Sequence, residues 1–143
     1  MKFWDASALI PLLIDEATTQ AMWQLSSAER YLLISFITPI EITSALTRRV
    51  RTHELTAAQM DFANKRLPEL QRFWLMIDDL PAISRIALEL LRTHPLRAGD
   101  AIQLASAITA SGDRTTIPFV TLDKRLAVAA AAEGFPVLPQ RSA

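Results

Sequence analysis

Residues 31–36, Tyr31 to Phe36, are apolar almost without a break, interrupted only by Ser35. A strand with one wet face would alternate polar and apolar side chains. An unbroken run fits a strand covered on both faces, the kind found in parallel sheets. Parallel strands must be joined by a crossover of a dozen or more residues, usually helical. The run therefore calls for helices on both sides of it, and the rest of the chain supplies them. Short apolar runs recur at 2–5, 73–77, 117–121 and 136–138, with helical periodicity between them. That alternation predicts an α/β fold with a mostly parallel central sheet.

The helical stretches can be bounded from their caps and breakers. One is expected from Ser7, with Pro11 near its first turn. A second is expected over 18–27, turning Ala21, Met22 and Leu25 inward. Thr38-Pro39-Ile40-Glu41 reads as a capping box, opening a helix to about Thr52 whose last turn carries Arg48, Arg49 and Arg51. Thr56 caps a helix over 57–72, with Pro68 late in it. The next runs from about Pro81 to Arg92, presents Ile83, Ile86, Ala87 and Leu90 on one face, and ends at His94-Pro95. Small and apolar residues fill 99–111, where Ala101, Leu104, Ala105 and Ile108 recur at helical spacing behind Asp100. Asp123 begins an alanine-rich helix to about Glu133, Gly134 fits the position after its end, and residues 140–143 are expected to fray.

Composition narrows the chemistry. The chain has 143 residues, enough for one domain that buries roughly two-thirds of its unfolded surface. It has no cysteine, which removes disulfides, thiolate metal sites and cysteine nucleophiles. Its two histidines, His53 and His94, both fall in polar loop or helix-end segments, which disfavours a histidine zinc site or a Ser-His-Asp triad. Fifteen basic and fifteen acidic residues give zero net charge, so nucleic acid would have to be held by a local basic patch or by metal ions. No signal-peptide pattern opens the chain and no apolar run is long enough to span a membrane. The expectation is a soluble, cytoplasmic protein.

Four acids stand at expected helix starts: Asp5, Glu41, Asp100 and Asp123. Each alone is explained as a cap or a first-turn acid favoured by the helix dipole. In a parallel α/β sheet, however, helix starts gather at the carboxyl edge, where ligands bind. Carboxylates crowded there repel one another, and a divalent cation gives a reason for their company. An all-oxygen donor set favours Mg²⁺ or Mn²⁺. Metal-assisted hydrolysis of a phosphodiester follows as the reaction class.

The residues around these acids resemble a known family. Phe3-Trp4-Asp5-Ala6-Ser7-Ala8-Leu9 is similar to the opening of PIN-domain ribonucleases, particularly the VapC toxins of prokaryotic toxin–antitoxin pairs. Glu41-Ile42-Thr43-Ser44-Ala45-Leu46, Arg97-Ala98-Gly99-Asp100-Ala101-Ile102-Gln103-Leu104-Ala105 and Phe119-Val120-Thr121-Leu122-Asp123-Lys124-Arg125-Leu126 resemble its second, third and fourth motifs, in the family's order. The resemblance implies a three-layer α/β/α domain over 1–143 and a catalytic quartet of Asp5, Glu41, Asp100 and Asp123. Asp5 and Asp100 would bind Mg²⁺ or Mn²⁺ directly, and Glu41 and Asp123 through metal-bound water. Ser7 and Thr121 match supporting hydroxyl positions. RNA would be the substrate, a VapB-like antitoxin the partner, and a homodimer the assembly. Two residues depart from the pattern: Trp4 replaces a smaller aliphatic residue, and Gly99 is expected to loosen the helix start before Asp100.

With no net charge, RNA contact would fall to local cations, with Arg48, Arg97, Lys124 and Arg125 as candidates beside Arg49 and Arg51. Two other readings compete. A phosphatase could use Asp5 as nucleophile, but Asp5-Ala6-Ser7 lacks a second Asp two residues on. A non-catalytic interaction domain could keep the fold, but the acidic set here is complete.

Overall fold

The computed structural model describes residues 1–141; Ser142 and Ala143, part of the expected frayed tail, lie outside the described residues. The first half of the chain forms β1 (Phe3–Trp4), α1 (Ala6–Leu9), a 3₁₀ turn (Ile10–Leu12), α2 (Thr19–Ser27), β2 (Leu32–Ser35), α3 (Thr38–Arg51) and α4 (Ala57–Gln71). The second half forms β3 (Trp74–Ile77), α5 (Leu80–Thr93), α6 (Ala98–Ala110), a 3₁₀ turn (Arg114–Thr116), β4 (Phe119–Val120), α7 (Lys124–Ala132) and β5 (Val137–Leu138).

The five strands make one sheet in the order β3-β2-β1-β4-β5, and every neighbouring pair is parallel. The pleat sends alternate side chains to opposite faces. Trp4, Leu32, Ile34 and Val120 enter a core with Leu9, Leu13, Met22, Ile42 and Leu46. Phe3 and Phe119 enter the other core with Ile83, Leu90, Leu104 and Leu126, and Leu33 packs against it. The register places Phe3 beside both Leu33 and Phe119, and Trp4 beside Ile34 and Val120, so each face is apolar straight across the centre of the sheet. The Phe3 and Phe119 rings lie 5.0 Å apart at their centroids.

These two cores reveal the topology that makes the site. Helices α1 to α4 cover one face and α5 to α7 the other. The chain changes face on the way from β3 to β4. Beyond β1 it therefore turns to one side, and beyond the neighbouring β4 to the other. A crevice opens between the carboxyl ends of two such strands, and ligands of doubly wound sheets bind there.

Several local expectations are corrected. The strand expected over 2–5 is only Phe3–Trp4, because the chain leaves the sheet at Asp5 after its amide reaches Val120 O at 3.1 Å. Likewise β4 covers Phe119–Val120 rather than 117–121. Pro11 ends α1 and is accommodated in the following 3₁₀ turn. Met22 is the fully buried residue of α2, whereas Ala21 is exposed. The capping box at Thr38 does not form. Ile37 is the cap residue, it makes no side-chain cap, and Thr38 is the first helical residue. Its hydroxyl is buried and engaged elsewhere, as described below. The cap at Thr56 does form, with Gln59 completing a reciprocal box at 3.1 and 2.9 Å. Pro68 lies within α4, which continues to Gln71. Gly134 adopts φ +99°, the left-handed geometry expected after α7.

Candidate active site

Each acid reaches the crevice by a different local route. Asp5 stands at the start of α1 with an extended backbone, but its side chain does not cap the helix. Instead its Oδ1 accepts a hydrogen bond from the Ser7 hydroxyl at 2.8 Å. Asp123 is a true N-cap: its Oδ1 accepts from the amides of Arg125 at 2.9 Å and Leu126 at 3.1 Å. Asp100, in the first turn of α6, accepts from the Arg97 amide at 3.1 Å. Glu41, in the first turn of α3, accepts from the side-chain amide of Gln103 at 2.7 Å. Helix-start chemistry thus accounts for Asp100 and Asp123, while Asp5 and Glu41 are held by side chains.

All four acids line one cleft of ≈ 580 Å³, together with Ser7, Ile10, Ile40, Arg48 and Leu122 among others. Its floor is tied together across the crevice. Ser7 Oγ lies 3.3 Å from Thr121 Oγ1 and accepts from the Leu122 amide at 2.9 Å. Thr121 Oγ1 accepts from the Asp123 amide at 3.1 Å. Thr121 is buried, and Ser7 is partly so.

The electrostatics follow from burial. Asp5 is 5% exposed. Loss of water raises its pKa to about 7, against the opposing pull of the Ser7 and Thr121 hydroxyls, and the Glu41 charge adds to the rise. Burial also raises Glu41, the Gln103 amide opposes it, and the charges of Asp100 and Asp123 push it further up. The acids sense one another and favour a positive partner.

The donor chemistry fits a hard divalent cation. Among the described residues no group of three or more acidic or histidine side chains is placed to hold a metal ion as it stands. The acids ring the cleft instead of converging, each turned toward its own hydrogen-bond donor. Mg²⁺ is commonly held by only one or two carboxylates, with waters and substrate phosphate completing its shell. Oxygen donors facing an open cleft suit that mode of binding.

The cationic candidates separate. Arg48 lines the cleft, and so does Arg49, which is ion-paired with Glu16. Arg97, Lys124 and Arg125 are exposed and outside the cleft lining, as is Arg51. Neither histidine reaches the site: His53 sits in a left-handed turn at φ 63°, and His94 Nε2 lies 2.9 Å from Glu133 Oε2.

Gln103 is the residue at the site that the sequence does not single out, and Gly99 has a role there other than the one expected. Gln103 is 1% exposed, and its Nε2 reaches both Glu41 Oε1 and, at 3.0 Å, Thr38 Oγ1. Gly99 does not loosen α6, which starts at Ala98 and includes it. Its missing side chain makes room: a Cβ there would lie 2.9 Å from Glu41 Oε2. The signal for Gln103 was present. It is the one amide among the apolar residues of α6, one turn beyond Asp100 and so on the same face. Trp4 is fully buried on the α1–α4 side, and its indole Nε1 has no partner.

Together these features define a doubly wound α/β domain whose switch-point crevice is lined by carboxylates. The sequence pattern of the PIN domain matches residues 2–132, and the chain belongs to the PIN-domain family. It is 32% identical over 143 residues to Ribonuclease VapC45 of Mycobacterium tuberculosis (strain CDC 1551 / Oshkosh), covering 96% of this chain and 94% of that one. The same values hold for Ribonuclease VapC49 of strain ATCC 25618 / H37Rv. Among solved structures, PAE2754 from Pyrobaculum aerophilum superimposes with TM-score 0.63 at 24% identity, over 96% of this chain and 83% of that one. FitAcB from Neisseria gonorrhoeae gives 0.63 at 17% identity, over 96% of each chain. A toxin–antitoxin complex from Klebsiella pneumoniae gives 0.60 at 20% identity, over 89% of this chain and 91% of that one. These likenesses support the fold.

Proposed function

We propose that this chain is a metal-dependent endoribonuclease and the toxin of a toxin–antitoxin pair. The observation that carries the reading is the gathering of Asp5, Glu41, Asp100 and Asp123 around one cleft at the switch point of a PIN-domain sheet. The relatives named ribonuclease match nearly the whole chain and so support the nuclease assignment. The toxin–antitoxin complex among the structural neighbours supports a VapB-like antitoxin as partner. A homodimer and a cytoplasmic setting belong to the same reading; no described helix is long and apolar enough to cross a membrane.

The residues divide the work. Asp5 and Asp100 would hold Mg²⁺ or Mn²⁺, with Glu41 and Asp123 completing its surroundings through water. When bound, the cation supplies a Lewis acid that lowers the pKa of water and offsets charge on the phosphoryl oxygens. Asp5 is directed by the Ser7 hydroxyl, and the burial that raises its pKa to about 7 without a cation favours a positive partner for its carboxylate. Asp123 keeps one oxygen on the α7 amides, which fixes its orientation. Arg48, on the cleft wall, would meet a substrate phosphate.

The test is RNA cleavage with Mg²⁺ by the wild-type protein, Asp5→Asn and Asp100→Asn, with and without chelator. Loss of cleavage in both variants and in chelator is expected, with circular dichroism unchanged. Cleavage at the wild-type rate in chelator, or in both variants, would overturn the reading.

A further inference from the structure

We propose that Gln103 and Gly99 are positioning residues for Glu41: Gln103 holds one carboxylate oxygen, Gly99 leaves room for the other, and together they set its orientation in the cleft. The proposal rests on the metal-nuclease reading above and identifies how α6, beyond contributing Asp100, controls an acid carried by α3.

Glu41 has three side-chain torsions and sits at the edge of an open cleft, so its backbone alone does not direct its carboxylate. Gln103 does. Its Nε2 donates to Glu41 Oε1 at 2.7 Å and to Thr38 Oγ1 at 3.0 Å, using both amide hydrogens. Thr38 lies one turn before Glu41 on α3, so the amide clips two positions of one helix face. Stability alone does not account for an amide here. Gln103 Oε1 is buried without a partner, a condition native structures generally avoid. An apolar side chain of similar length would bury no unpaired carbonyl, at the cost of the bond to the buried Thr38 hydroxyl.

Gly99 leaves the space that the second oxygen occupies. Its α-carbon faces Glu41, and an added Cβ would meet Oε2 at 2.9 Å and Cδ at 3.4 Å. A free carboxylate would swing away from such a methyl. This one cannot do so without stretching the bond from Gln103 to its other oxygen. Gly99 and Gln103 are four residues apart and share a face of α6. Asp100 lies between them, so one helix carries one acid and orients a second. The carboxylate is ordered before any cation arrives, which spares that cost on binding.

The test compares wild type, Gln103→Leu, Gly99→Ala, Glu41→Gln and the double variant Gln103→Leu/Glu41→Gln, all as full chains. Mn²⁺ affinity is measured by calorimetry without RNA. The kcat and KM of RNA cleavage are measured with Mg²⁺, and folding is followed by thermal unfolding. Gln103→Leu is expected to stay folded, to weaken Mn²⁺ binding about 10-fold, and to lower kcat with KM little changed. Gly99→Ala is expected to shift both in the same direction. In the Glu41→Gln background, Gln103→Leu is expected to add nothing, because its effect passes through Glu41. Additive losses would assign Gln103 a merely structural role and overturn the proposal, as would wild-type Mn²⁺ affinity and kcat in either Gln103→Leu or Glu41→Gln. If Gln103→Leu fails to fold, Gly99→Ala decides: a loss supports the proposal, and wild-type behaviour overturns it. Absence of Mn²⁺ binding and of cleavage in the wild type itself would instead overturn the metal-nuclease reading, and this proposal with it.

Discussion

Ser7 Oγ and Thr121 Oγ1 stand 3.3 Å apart across the crevice, joining segments that follow β1 and β4 and leave the sheet toward opposite faces. Ser7 has one hydrogen, which goes to Asp5 Oδ1. Its contact with Thr121 therefore has Thr121 as donor, and the Leu122 amide fills its remaining acceptor site. Thr121 in turn accepts from the Asp123 amide. A directed chain of hydrogen bonds runs from the backbone at Asp123 to the carboxylate of Asp5. Ser7→Ala removes three of these partners. Thermal unfolding should show a loss of roughly 1–3 kcal/mol, because the Leu122 amide and the Thr121 hydroxyl are left without their partner. Unchanged stability would mean that water replaces the hydroxyl.

Asp5 makes stability depend on pH in a defined direction. Its folded pKa of about 7 lies above the ordinary 3.8, so the native state holds a proton that the unfolded chain has released. Stability from this group is full below about pH 4 and is lost as pH rises toward 7. The total is at most roughly 4 kcal/mol, at about 1.4 kcal/mol per pKa unit. Urea unfolding without divalent cations, at pH 5 and pH 8, should show Asp5→Asn gaining on wild type at the higher pH. Added Mn²⁺ should reverse the order at pH 8, by stabilising the wild type and not the variant. Parallel pH profiles for the two proteins would remove Asp5 as the source.

Asp123 permits its cap role to be separated from its proposed site role. Asparagine caps helices about as well as aspartate, whereas alanine costs about 0.5–2 kcal/mol. Asp123→Asn should keep the melting temperature of the wild type and lose RNA cleavage. Asp123→Ala should lose both. Full cleavage by Asp123→Asn would leave this residue as a cap alone.

Arg48 and Arg49 are neighbours in sequence with different surroundings. Arg49 is engaged by Glu16, a half-buried pair worth at most about 1 kcal/mol. Arg48 is exposed on the cleft wall. Arg48→Ala should raise the KM for RNA several-fold and weaken its salt dependence, with kcat nearly unchanged. Arg49→Ala should change KM less. Equal effects would mean that the two serve only as general surface charge.

Much of the fold was legible because it is written in local pattern. The run 31–36 requires cover on both faces, and the helices between the strands supply it, α1 to α4 on one face and α5 to α7 on the other. The capping box at Thr38 does not form, and the hydroxyl is claimed by a tertiary partner, Gln103, that the local motif does not contain. Ala21 stays outside because a nine-residue helix turns one narrow face inward, and Met22 fills it.

The sequence by itself determined the type of fold, the family and the identity of the four acids, since alternating periods and contiguous motifs are properties of neighbours along the chain. Only the tertiary structure decided that β1 lies beside β4, that Ser7 meets Thr121, and that Gln103 and Gly99 close on Glu41. Those residues are separated by 58 to 114 positions. Nothing in their local sequence encodes the meeting; it follows from the order of the strands, which brings distant helix starts to one edge of the sheet.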